Sequence, residues 1–210
     1  MTSLQEMSLA TFGEALASSA ATPGGGCASA LSGALAASLA AMVARTTATS
    51  EKFADRADEM NEVAAEADGL RSELLSLVDA DAEAFAQVMA AFRLPKETPQ
   101  EQAARSQAIQ AGYKAAVEPP LLVCTRSVRV LELALQVAER GNPNAASDAG
   151  VAALLAAAAL EGGALNVGIN LGSIKDEAFR TAQAEGVRAA QAQGRALRDK
   201  ALATVQAKLG

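Results

Sequence analysis

Apolar positions recur along this chain at helical intervals, and almost nowhere with the two-residue alternation of a half-buried strand. Leu9, Phe12 and Leu16 predict a short helix over 8–20, which Thr22-Pro23 ends because proline disfavours helical backbone in the residue before it. Gly24, Gly25 and Gly26 then lead into a second helix running from about Gly26 to Ala48. No charge lies between Glu14 and Arg45, and Ala, Ser and Gly dominate around Leu31, Leu35, Leu39, Met42 and Val43. So thin a helix lets neighbours approach its backbone closely. Its apolar length also satisfies the minimum for a membrane span, but its Ser, Ala and Gly content and lack of flanking aromatics favour a buried helix of a soluble bundle.

Glu51 to Leu94 carries the longest uninterrupted helical pattern, closed by Pro95 and Pro99. Leu70, Leu74, Leu77, Phe85, Val88 and Phe92 draw one apolar stripe along it. At about 100° per residue, Asp81 falls within about 40° of Leu74, Leu77, Phe85 and Val88, whereas Asp79 and Glu83 turn to the opposite face. An ionised acid left unpaired in such a stripe costs several kcal/mol, so Asp81 must be ion-paired, hydrogen-bonded or held protonated. Either it answers an arginine from another helix, or it is a carboxyl poised for proton transfer.

A further helix begins at Pro99, a residue suited to the first turn, and heads towards Arg140. Glu118-Pro119-Pro120 is expected to kink or break it and to free carbonyls one turn back. Gly141 ends it, and in Asn142-Pro143-Asn144-Ala145-Ala146-Ser147-Asp148 the hydroxyl of Ser147 is expected to cap a second small-residue helix, with Asp148 in its first turn. Gly162-Gly163 is expected to loosen the chain before Asn166 and Asn170. Those two amides share a face if the region is helical, and could bond either backbone or a ligand. A polar helix from Ile174 to Leu209 completes an all-α, single-domain bundle of about six helices spanning 1–210, with two small-residue helices in the centre.

Composition narrows the chemistry. A net charge of −6 and only five Phe, one Tyr and no Trp argue against nucleic acid as a partner. Cys27 and Cys124 lie far apart without CxxC spacing, which suggests two buried thiols rather than a metal site or a disulfide, and the N-terminus lacks the order of a signal peptide. The expected location is cytoplasmic. The absence of histidine removes imidazole bases, Ser-His-Asp and Cys-His nucleophile systems and histidine-ligated zinc. Proton chemistry here falls to carboxylates, Lys, Tyr or water.

Thr22-Pro23-Gly24-Gly25-Gly26, Val78-Asp79-Ala80-Asp81-Ala82-Glu83-Ala84-Phe85, Gly141-Asn142-Pro143-Asn144-Ala145-Ala146-Ser147-Asp148 and Leu165-Asn166-Val167-Gly168-Ile169-Asn170-Leu171 stand in this order over nearly the whole chain. Together they resemble the cyclodeaminase/cyclohydrolase family of folate enzymes, as does the turn Leu94-Pro95-Lys96 with Thr98-Pro99. The resemblance implies a metal-free, cofactor-free homodimer acting on a tetrahydrofolate derivative, with a separate formiminotransferase as a potential partner. Its reaction would be closure of 5-formiminotetrahydrofolate to 5,10-methenyltetrahydrofolate with loss of ammonia, or hydrolysis of the methenyl bridge to 10-formyltetrahydrofolate. It further implies Asp81 as general acid/base and Gly24, Gly25 and Gly26 as the wall of the folate cleft, with Ser147, Asp148, Asn166 and Asn170 around the site. The family's basic cluster before the next helix is reduced to Lys52 in Thr49-Ser50-Glu51-Lys52-Phe53. The alternatives are a non-catalytic helical scaffold or binding module, and a different amine or amidine lyase on the same frame.

Overall fold

A computed structural model describes residues 3–210, and among them helices are the only regular elements. They are α1 (Leu9–Ala17), α2 (Gly25–Ala48), α3 (Ala57–Phe92), α4 (Pro99–Arg140), α5 (Ala146–Leu171) and α6 (Glu177–Leu209), with 3-10 turns at Glu51–Arg56 and Pro143–Ala145. The two small-residue helices lie side by side at the centre, α2 packed on α3, α4 and α5, and α5 on α2, α4 and α6. Both are long and apolar enough to cross a membrane by length and composition. Ala30, Ala34, Ala37 and Ala44 of α2, with Ala149, Ala153, Ala156 and Ala159 of α5, are almost wholly buried in the shared core. The outer helices carry the charge: Arg129 of α4, for example, ties its guanidinium to Glu66 of α3 at 2.5 Å.

Local chemistry sets the helix ends. Ser8 caps α1 by accepting from the Thr11 amide, and Asp176 caps α6 by accepting from Phe179. Thr98 and Glu101 form a reciprocal capping box at the start of α4. Ser147 does not cap α5. The cap position is Ala145, which follows a tight turn held by Asn142, so Ser147 sits inside the first turn and is exposed. The junction is tied down instead by Thr47, whose buried hydroxyl accepts from the Asn142 amide at 2.8 Å.

Three expected interruptions resolve differently. Glu51–Arg56 is a separate 3-10 turn, because Phe53 leaves helical geometry (φ −122°, ψ 27°) to bury its ring. Pro119 and Pro120 do not break α4 into two elements; the helix continues through both, and both are buried. Gly162-Gly163 does not loosen α5. At Gly163 a β-carbon would lie 2.9 Å from Cys124 Sγ and 3.0 Å from the Pro120 carbonyl, so the glycine lets α5 pass against α4 where the prolines lie.

Candidate functional site

The start of α2 carries no capping side chain, since its cap residue is Gly24. The first amides of a helix lack intrahelical partners and carry the positive end of the dipole. Asp81, from the middle of α3, approaches that helix start from outside: the Cys27 thiol donates to its carboxyl, with Sγ 3.4 Å from Oδ2. Among the described residues no arginine answers it. Gly26 makes the approach feasible, because a β-carbon there would stand 2.2 Å from Asp81 Oδ1. Gly25 is less constrained, its nearest neighbour being Asn166 Nδ2 at 3.5 Å. Close packing at the glycine loop therefore centres on Gly26.

Asp81 opens onto a cavity of about 330 Å³ between the glycine loop and the facing ends of α3, α4 and α5. Burial raises its pKa above the ordinary carboxylate range, against the opposing pull of the Cys27 thiol and amide. Asp79, two residues earlier, behaves oppositely. It accepts from Ser3 Oγ at 2.7 Å, the Leu4 amide at 2.5 Å and Gln5 Nε2 at 3.1 Å. Burial would raise Asp79, but these hydrogen bonds bring it below its usual value. The pair thus divides into a carboxyl disposed to hold a proton and one anchored as an anion.

Asn166 and Asn170 both reach the cavity, as do Gly24 and Thr22. Asn166 donates to the Gly162 carbonyl of its own helix at 2.8 Å, and Asn170 crosses to the Ala116 carbonyl of α4 at 2.8 Å. Their amides therefore go to backbone. Lys52, Ser147 and Asp148 do not join them. Asp148 lies about 27 Å from Asn166 along α5 at about 1.5 Å rise per residue, and Lys52 follows the far end of α2, over the Phe53 ring. These three occupy the opposite end of the bundle.

Sequence periodicity assigned Phe85 and Phe92 to the core, yet they are partly exposed and line the cavity with Val88, Met89, Tyr113 and Ile169. Helical spacing shows which side of α3 faces inward but not where the neighbouring helices stop short. Phe92 meets Tyr113 edge-on at 6.2 Å, and Arg105 stacks over the outer face of Phe92 at 5.4 Å. Among the described residues no cation lines the cavity itself. The site thus offers an apolar, aromatic slot with one partly buried carboxyl, its pKa raised by burial, at its base.

Known proteins share this sequence and frame. Residues 8–189 match the family model described as formiminotransferase-cyclodeaminase. The chain is 41% identical over 199 residues to a methenyltetrahydrofolate cyclohydrolase of Methylorubrum extorquens, covering 95% of this chain and 96% of the relative. It is 38% identical over 176 residues to the formimidoyltransferase-cyclodeaminase of Gallus gallus, matching 82% of this chain but only 32% of that longer protein. The crystal structure of formiminotetrahydrofolate cyclodeaminase from Thermotoga maritima superposes with a TM-score of 0.88 at 30% identity, covering 99% of this chain and 100% of that one. The chain therefore belongs to the formiminotransferase-cyclodeaminase family.

Proposed function

We propose that this protein is a folate one-carbon enzyme acting at the bridge between N5 and N10 of tetrahydrofolate, with Asp81 as its general acid/base. The observation that carries the reading is the Asp81 carboxyl at the base of an apolar cavity, disposed by burial to hold a proton. The aromatic walls suit a flat pterin ring, and Asn166 and Asn170 are polar fixtures beside it. In hydrolysis, the Asp81 carboxylate takes a proton from water as the water oxygen bonds the methenyl carbon; the carbon–N5 bond then breaks, N5 receives that proton, the remaining O–H proton passes to solvent, and 10-formyltetrahydrofolate results. In the cyclodeaminase reaction, N10 attacks the formimino carbon and gives its proton to the same carboxylate, which passes it to the amino group as the carbon–nitrogen bond breaks and ammonia leaves. The near-full-length likeness to a cyclohydrolase supports hydrolysis, and the equally complete structural likeness to a cyclodeaminase supports cyclodeamination.

As proposed, the enzyme uses neither metal nor cofactor in this reaction. It works in the cytoplasm as a homodimer, and a separate formiminotransferase supplies the formimino substrate if the second reaction is the native one. An exposed apolar face supports dimerisation: Leu35 and Met42 of α2 and Val151, Leu154 and Leu165 of α5 lie open to solvent. Lys52, Ser147 and Asp148 have no role in the Asp81 cavity of their own chain.

The test follows the methenyl chromophore of purified protein with each substrate. Turnover of one of them, reduced roughly 10²- to 10⁴-fold in Asp81→Asn, is expected. Full activity in that variant, or no turnover of either substrate, overturns the reading. A folate-binding module would instead show a folate-induced rise in melting temperature without turnover, and a scaffold no rise at all.

A further inference from the structure

Cys27 is wholly buried, and its sulfur stands 3.4 Å from Asp81 Oδ2. An ionised carboxylate only accepts hydrogen bonds, so the thiol is the donor. Burial keeps that thiol protonated by pushing it up to about 11, with the neighbouring Asp81 adding to the rise. No other side chain hydrogen-bonds the Asp81 carboxyl among the described residues.

None of the remaining ionisable side chains near Asp81 hydrogen-bonds its carboxyl among the described residues. On α3, Asp79 faces Ser3, Leu4 and Gln5, while Glu83 is exposed. From α4, Tyr113 enters the cavity, and Glu118 shares a different groove with Glu83. On α5, Glu161 is held by Gln191 and by Arg195 at 3.1 Å, and α2 has no charge before Arg45.

Given the proposed acid/base role of Asp81, on which this inference rests, we propose that Cys27 is its positioning residue: the thiol holds Oδ2, fixes the carboxyl at the base of the cavity and, as a weak donor, leaves it basic enough to accept a proton. A serine hydroxyl would stabilise the carboxylate more strongly, and alanine would remove the side-chain donor while keeping the β-carbon. The three residues therefore form a graded series at one position.

The experiment measures the Asp81 carboxyl titration by ¹³C NMR, and the pH dependence of kcat/KM, in wild type, Cys27→Ser and Cys27→Ala. Far-UV circular dichroism confirms that each variant is folded. The expected midpoints rise in the order Ser, Cys, Ala. Cys27→Ala is expected to lose about tenfold in kcat with little change in KM, a fraction of what a placed acid/base contributes, and Cys27→Ser to recover most of that loss. A midpoint common to all three folded proteins overturns the inference, as does an unchanged kcat in Cys27→Ala. The NMR titration needs no turnover: ordered midpoints in a protein that converts neither folate would sink the proposed function while leaving the Cys27–Asp81 coupling in place.

Discussion

Asn170 of α5 donates its side-chain amide to the Ala116 carbonyl of α4 at 2.8 Å. In an α-helix that carbonyl would accept from the amide of residue 120, but residue 120 is proline and has no N–H. The side chain of one helix thus supplies the hydrogen bond that another cannot make for itself. The acceptor freed by Pro120 is satisfied in this way beside the cavity, while the one freed by Pro119 belongs to Ala115, an exposed residue.

Asn170→Leu should leave that acceptor unpaired. A buried polar group stripped of its partner costs about 1–3 kcal/mol, so urea unfolding should show a loss of this size. A smaller loss is expected from Asn166→Leu, because Asn166 bonds a carbonyl within its own helix.

Gly26 and Gly25 should respond oppositely to alanine. At Gly26 the added methyl would occupy the space of the Asp81 carboxyl, whereas at Gly25 it meets Asn166 at an ordinary contact distance. Gly26→Ala is expected to lower kcat at least roughly 100-fold, the scale of losing a placed acid/base, with helical content retained by circular dichroism. Gly25→Ala should stay within about threefold of wild type in the same assay.

Asp81 should make stability depend on pH in a definite direction. Its pKa is raised in the folded state, so the native protein binds a proton more readily than the unfolded chain. That contribution is complete below the unfolded value near 4 and is lost as pH rises through the folded value. Asp81→Asn should therefore melt higher than wild type at pH 8, and the difference should shrink as the pH is lowered towards 4. An equal difference at both pH values would contradict the assignment.

Asp79 has the opposite sign. Its folded pKa lies below the unfolded one, so its contribution is present at neutral pH and lost as pH falls through the folded value. Acidification, or Asp79→Ala at pH 7, should release residues 3–5 from α3. Hydrogen exchange at Leu4 and Gln5 would rise, while α2 and α5 stay protected.

The helices, the central position of α2 and α5 and the inward turn of Asp81 were legible in the sequence, because each follows from side-chain period and charge along a single element. What escaped was relational. Pro119 and Pro120 signal a break unless Asn170 is known to face Ala116; Gly162-Gly163 signals looseness unless Cys124 and Pro120 press against Gly163. Likewise the motif residues fall into two groups at opposite ends of the bundle. Lys52, Ser147 and Asp148 lie far from Asp81 within the chain, since long helices separate neighbouring motifs by their own lengths.

The alanine-rich surfaces of α2 and α5 have a consequence for synthesis. These helices cover one another in the finished fold but are separated by the whole of α3 and α4 in the chain. At about 5–20 residues per second, α5 emerges from the ribosome on the order of ten seconds after α2. During that interval α2 can shelter only against α3 and the growing α4, with part of its alanine face uncovered. The nascent chain is therefore most prone to association before Leu171 has been made, and truncations ending within α4 should aggregate where the complete chain stays soluble.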